Sequence, residues 1–208
     1  MKAVITGGTG LIGRALVTHL TTDGWEVVVL TRNPARATGL PAKAQIVQWD
    51  GQTARGWGQL VDGATAVVNL AGENISAGRW TSQHKQRIRE SRLAAGRAIV
   101  EAIQQATIKP QVLIQSSAVG FYGDRGAEEL DERSAPGRGF LPDLCQEWEQ
   151  STADVEPLGV RRAVIRTGVV LSLTGGALPR LLWPFKFFIG GPLGDGRQWF
   201  PWIHLTDE

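Results

Sequence analysis

The sequence predicts an α/β fold, a doubly wound parallel sheet with helices on both faces, continued by a small loop-rich partial substrate lobe. Three observations carry this reading. Strand-like runs rich in Val, Ile and Leu alternate with helix-like segments. The first run leads straight into a glycine-rich turn and then an amphipathic helix. The composition, 42% hydrophobic and 20% charged over 208 residues, is that of a globular chain long enough to bury a core without staples.

Taken in order, strands are predicted over Lys2–Thr6, Glu26–Thr31, Gln45–Gln48, Ala66–Asn69, Val112–Ser116 and Arg162–Arg166. Each is a short apolar run of the kind a sheet covered on both faces requires. Between the first two, Leu11, Ile12, Ala15, Leu16 and Leu20 repeat at helical spacing, and the predicted helix Leu11–Asp23 stops at Gly24. A long helix is predicted from Thr81 to Thr107, ending before Pro110, and another from Pro142 to Val155, ended by Pro157 and Gly159. After Thr167 the texture changes. Glycine pairs and Gly194-Asp195-Gly196 punctuate a stretch carrying Trp183, Phe185, Phe187, Phe188, Trp199, Phe200 and Trp202, read as a lid or lobe that either packs on the main domain or offers a surface. The expected division is residues 1–170 for the nucleotide-binding domain and 171–208 for a partial lobe, interrupted at Glu208.

The turn Thr6-Gly7-Gly8-Thr9-Gly10-Leu11-Ile12-Gly13 satisfies two glycine spacings. Gly8-x-Gly10-x-x-Gly13 fits the ordinary Rossmann fingerprint, and Gly7-x-x-Gly10-x-x-Gly13 fits the looser pattern of extended short-chain dehydrogenases. Such glycines turn the chain, admit backbone close to a pyrophosphate and let helix pack on strand, while the helix start at Leu11 and Ile12 faces the anion. About 20 residues on, where the adenosine ribose should sit, stand Thr31 and Arg32. An acid there would suit NAD, whereas a guanidinium can pair with a 2′-phosphate. NADP(H) is therefore expected ahead of NAD(H), the alternative being that Arg32 is an ordinary surface charge; Arg36 is a further cation that could assist. Asn69-Leu70-Ala71-Gly72, at the end of the fourth strand, lets small residues and backbone pass beside the cofactor.

Charge and cysteine usage narrow the classes. The net charge is +2, and the one basic stretch, Lys85 to Arg97, reads as a solvated helix face, so no nucleic-acid partner is expected. Nor is a membrane partner, because no apolar run reaches spanning length and no leader precedes the first strand. The single Cys145 excludes an internal disulfide framework and suits a reducing compartment; the expectation is cytoplasmic. The histidines His19, His84 and His204 are scattered, and no metal is expected.

The glycine turn, Thr31-Arg32, Asn69-Leu70-Ala71-Gly72 and Ser116-Ser117…Phe121-Tyr122-Gly123 together resemble the extended short-chain dehydrogenase/reductase superfamily. Gly72-Glu73-Asn74-Ile75, Arg79-Trp80, Ser91-Arg92, Trp148-Glu149, Arg166-Thr167-Gly168-Val169-Val170-Leu171 and Gly190-Gly191-Pro192…Trp202-Ile203-His204 narrow the resemblance to its atypical, YfcH-like "epimerase family" in the NAD-dependent epimerase/dehydratase superfamily. That resemblance implies a Rossmann fold, NADP(H) binding and kinship with sugar-nucleotide epimerases and dehydratases. By motif, Thr31 and Arg32 would meet the adenosine end, and Leu70 and Ala71 would line the cofactor channel. Arg92 would aim a cation at the cofactor, and Val170 would offer backbone near the nicotinamide. Arg87 stands where a relative can carry an acid. The resemblance also implies a C-terminal part that this chain lacks.

Active extended members use a Tyr-x-x-x-Lys pair, in which lysine activates the tyrosine for proton exchange. The single tyrosine, Tyr122, is followed four residues later by Gly126, and alignment puts Leu141 and Cys145 where the pair belongs. The remaining candidates are Ser117, with Ala118 as the alternative by one residue; Tyr122, otherwise a structural ring; and His204, otherwise part of a network behind the site. Cys145 reads as a small buried hydrophobe. Two functions follow: an oxidoreductase or epimerase acting on a small hydroxylated or carbonyl substrate, or a catalytically silent NADPH-sensing protein, for which the division-related associations of some relatives are a fit. A homodimer stays open.

Overall fold

In the computed structural model, which describes residues 1–192 and 194–208, six strands form one parallel sheet. They are β1 (Lys2–Thr6), β2 (Glu26–Thr31), β3 (Gln45–Gln48), β4 (Ala66–Asn69), β5 (Val112–Ala118) and β6 (Arg161–Thr167), in spatial order β3-β2-β1-β4-β5-β6. That order reverses direction between β1 and β4, which opens a crevice at the carboxyl ends of those two strands. Ala3 lies in register with both Val27 and Ala66, so β1 is the centre of the sheet.

Side-chain alternation splits the core into two layers. Val4, Val28, Leu30, Val67 and Leu113 face α2 (Ser82–Gln105), meeting its Ala95, Ile99 and Ile103 together with the fully buried Trp57. Ala3, Ile5, Val27, Val29 and Val68 face the other way, onto Val17 of α1 (Leu11–Thr22). The α2 start is capped by Thr81, whose hydroxyl accepts from the His84 amide at 3.2 Å. Its middle lies close to the chain beyond α3 (Phe140–Gln150): a methyl at Gly96 would sit on Ser151 Oγ.

Two differences from the sequence expectation have physical reasons. The helix expected over Pro142–Val155 begins two residues earlier, because Pro142 falls in the first turn, where a missing amide is tolerated. It also breaks after Gln150, where Ser151 turns its hydroxyl back onto the Trp148 carbonyl, and a 3₁₀ segment, Ala153–Leu158, follows. The segment expected to be loop-rich carries ordered elements. β7 (Val169–Ser172) pairs antiparallel with β8 (Gly175–Gly176) and parallel with β9 (Trp202–His204), and α4 (Leu178–Lys186) lies between the latter two. Strands of two to four residues are too short to show alternation, and Pro179 and Pro184 mask the helical pattern. The residue at position 193 in this stretch lies outside the described residues. Among the described residues no helix is long and apolar enough to cross a membrane.

Candidate functional site

The glycine turn fills the crevice floor, and its glycines have separate duties. Gly7 takes φ +71°, and a methyl there would lie 2.5 Å from the Leu70 carbonyl oxygen, so the turn and the end of β4 touch through bare backbone. A methyl on Gly13 would lie 2.4 Å from the Gly7 carbonyl oxygen, and one on Gly8 2.7 Å from Val29 Cγ1. Gly10 differs: its φ of −78° suits any residue, and a methyl there would meet only Gly7 O, at 3.3 Å. Gly10 is also the N-cap of α1 and supplies no capping side chain. The amides of Leu11, Ile12 and Gly13 thus open the helix without helical acceptors, directed at a cradle that a methyl on Gly10 would begin to fill.

A cavity of about 820 Å³ spreads from this turn across the tops of β2 and β3 to one face of α2. Of the residues singled out in the sequence, Gly7, Gly10, Thr31, Arg32, Leu70, Ala71 and Gly72 line it, joined by Asn33, Arg36, Trp49, Asp50, Arg87, Ser91 and Arg97. A second hollow of about 300 Å³ shares Gly7, Gly10 and Leu70, and adds Leu11, Ile12, Gly13, Ser116, Val169 and Val170. Asp50 accepts from the amides of Gln52 and Thr53 and from the Thr53 hydroxyl. Those bonds hold its carboxyl below the usual carboxylate range.

The loop after β4 is set by a polar chain that sequence reading missed. The Thr6 hydroxyl donates to Asn69 Oδ1 at 2.7 Å, Asn69 Nδ2 donates to Gln115 Oε1 at 2.9 Å, and Gln115 Nε2 donates to the Ser116 carbonyl at 2.6 Å. All three side chains are fully buried, Thr6 and Asn69 at the ends of β1 and β4 and Gln115 in the middle of β5. The Ala71 amide donates onto the same chain, at Thr6 Oγ1. Arg92 supports this loop from behind and is absent from the residues lining either hollow. It donates to the carbonyls of Glu73 and Ile88, lies over the Trp148 ring at 4.7 Å and packs on Gly72. Burial lowers its pKa.

The candidate proton donors are placed apart from the cavity. Along β5, Ser116 faces the smaller hollow, so the next residue, Ser117, faces the opposite layer. Its hydroxyl donates to Glu149 Oε1 at 2.6 Å. Glu149 also receives Arg166 Nε at 2.8 Å and Nη2 at 3.0 Å, and Arg166 Nη1 donates to the Tyr122 hydroxyl at 3.0 Å. The guanidinium lies 3.5 Å from the Phe121 ring centroid, and its carboxylate partner raises its pKa further. Ser117, Glu149, Arg166 and Tyr122 therefore form one continuous network. His204, exposed on β9, stands outside it and accepts from the Thr206 amide through Nδ1. Cys145 is buried beside Gly120, and burial pushes its thiol pKa up. Among the described residues no cluster of three metal-ligating side chains occurs. The signals available beforehand for this network were the Trp148-Glu149 and Arg166 blocks; their mutual pairing required the register of β5 with β6, which sets Ser117 opposite Arg166.

Residues 3–139 match the model of the NAD dependent epimerase/dehydratase family. The chain is 42% identical over its whole length to the chloroplastic SDR39U1 homolog of Arabidopsis thaliana, an epimerase family protein of which it spans 60%. It is 40% identical to the epimerase family protein YfhF of Bacillus subtilis, again over its whole length and over 67% of that relative. Among solved structures, human epimerase family protein SDR39U1 (isoform 2), crystallised with NADPH, superposes on all of the chain with TM-score 0.84 at 34% identity, the chain covering 67% of it.

Proposed function

The chain belongs to the NAD dependent epimerase/dehydratase family, and on that premise we propose that it binds NADP(H) across the β1/β4 crevice. The observation that carries this reading is the fit of the glycine turn. Gly7 and Gly13 are demanded by contacts inside the chain, whereas a methyl on Gly10 would meet only the Gly7 carbonyl oxygen, at 3.3 Å, beside the free amides of α1. Leu11, Ile12 and Gly13 would hold the pyrophosphate, Thr31 and Arg32 the adenosine end, Leu70, Ala71 and Gly72 the middle, and Val170 the nicotinamide end. The NADPH in the human SDR39U1 structure supports the choice of dinucleotide. In solution, titration should show NADPH binding more tightly than NADH, and Arg32→Asp should remove that preference. Failure of NADPH to bind the wild type would refute the reading.

We propose further that the activity is a reduction or epimerisation of a small hydroxylated or carbonyl compound, with residues 171–208 contributing the substrate side. Bound NADPH would supply a hydride from its nicotinamide. A second reading, an NADPH-sensing protein without turnover, is favoured by one observation: the hydroxyls of Ser117 and Tyr122 are bonded into the Glu149–Arg166 pair. A screen of carbonyl and sugar-nucleotide substrates for NADPH oxidation separates the two. Turnover reduced by Ser117→Ala or Tyr122→Phe would count for the enzyme and against the sensor.

A further inference from the structure

The adenosine end of the large cavity is bordered from two sides by arginines. Arg32 and Arg36 approach from the chain after β2, and Arg97 from α2, and all three line the same space. The loop between them ties the sides together. Arg32 packs on Gly51, where a methyl would lie 3.5 Å from its Cδ. Three residues on, the Ala54 amide donates to Glu101 Oε2 at 3.1 Å, and Arg97 stands one turn before Glu101 on α2. Arg32 and Arg97 thus flank one loop, which packs on the first and is hydrogen-bonded one helical turn from the second.

None of these three guanidiniums forms an ion pair among the described residues. Other arginines nearby are committed: Arg87 to His84 Nδ1, Arg92 to two carbonyls, and Arg14 to the carbonyls of Thr9 and Thr38. Among the described residues none of the cavity's acids, Asp50, Glu73 and Glu90, forms an ion pair with them. Asp50 has its oxygens occupied by Gln52 and Thr53, while Glu90 accepts from Gln86 and lies about two helical turns from Arg97. A free ribose diol calls for a carboxylate acceptor, whereas here three guanidiniums outnumber the Asp50 carboxylate, whose oxygens are already bonded, and their fork geometry matches a dianionic phosphomonoester.

We propose that Arg97 is a specificity-determining residue, closing with Arg32 a two-sided clamp on the 2′-phosphate of the dinucleotide. This rests on the binding reading above and adds to it a residue on a separate element. Being exposed and unpaired, Arg97 can be replaced without disturbing the core. The test is calorimetric titration of the whole chain with NADPH, NADH, 2′,5′-ADP and 5′-ADP. Arg97→Gln should weaken NADPH and 2′,5′-ADP about tenfold, as loss of one charge-assisted contact does, and leave NADH and 5′-ADP within about twofold. Arg97→Lys should retain most of the discrimination. Unchanged NADPH affinity in Arg97→Gln overturns the proposal, and so does an equal loss on all four ligands, which would mean that Arg97 stacks on the adenine. If wild-type protein binds NADPH with no preference over NADH, the clamp is refuted and dinucleotide binding survives. If it binds neither, both readings fall.

Discussion

Removing the Glu149 carboxylate should be the costliest single change in the polar network, and the geometry sets its size. Glu149 accepts three bonds, two from Arg166 at 2.8 and 3.0 Å and one from Ser117 at 2.6 Å, in a pair that is 14% and 20% exposed. Breaking a buried pair by neutralising one partner costs about 3–5 kcal/mol, because the other charge is left uncompensated. Residual exposure screens that charge, and the Phe121 ring still contacts it, so Glu149→Gln is expected to cost about 2–3 kcal/mol. At about 2–4 °C per kcal/mol for a chain of this size, the melting temperature should fall by about 4–12 °C. Ser117→Ala removes one hydrogen bond and should cost about 1 kcal/mol; Tyr122→Phe, at the half-exposed end, should cost less. Adding Arg166→Met to Glu149→Gln should recover part of the loss, because the unpaired cation is then gone. Chemical denaturation of the three single variants and the double variant measures the ladder. A Glu149→Gln loss no larger than that of Ser117→Ala would refute the reasoning.

The glycines make a second contrast. Gly10→Ala should fold with nearly wild-type stability yet lose most of its NADPH affinity, whereas Gly13→Ala, whose methyl would meet the Gly7 carbonyl at 2.4 Å, should lose both; thermal melts with and without NADPH separate them. Cys145 should react slowly with an aromatic disulfide reagent at pH 8 while folded and quickly when unfolded. Its raised pKa means that the unfolded thiol ionises first, so the contribution of Cys145 to stability is intact below its ordinary value of 9.0 and declines above it. Stability of wild type relative to Cys145→Ala, followed from pH 7 to 10.5, should fall at the alkaline end; a flat difference would contradict the burial argument.

What was legible in the sequence follows from how local each determinant is. Strands β1, β2 and β4 were readable because Ala3-Val4-Ile5, Val27-Val28-Val29-Leu30 and Val67-Val68 are apolar on both faces and end in polar residues. The glycine turn was readable because its contacts, Gly13 against Gly7, lie six residues apart. Assignments that depend on pairing were not. Ser117 and Ser116 differ only in which face of β5 they occupy, and one residue of register exchanges them. Arg92 carries the same charge whether it points at a cofactor or, as here, at the Glu73 carbonyl and the Trp148 ring. Thr6, Asn69 and Gln115 come from strands up to 109 positions apart in the chain, and only the sheet order shows that they form one buried chain. The short strands β7, β8 and β9 hold each other rather than any long apolar pattern, so their sequence reads as turns.

The most direct test of the account is a crystal structure of this chain grown with NADPH. It predicts the pyrophosphate on the amides of Leu11, Ile12 and Gly13, and the 2′-phosphate at Arg32. Density for the dinucleotide outside the β1/β4 crevice, or none at saturating NADPH, would contradict it.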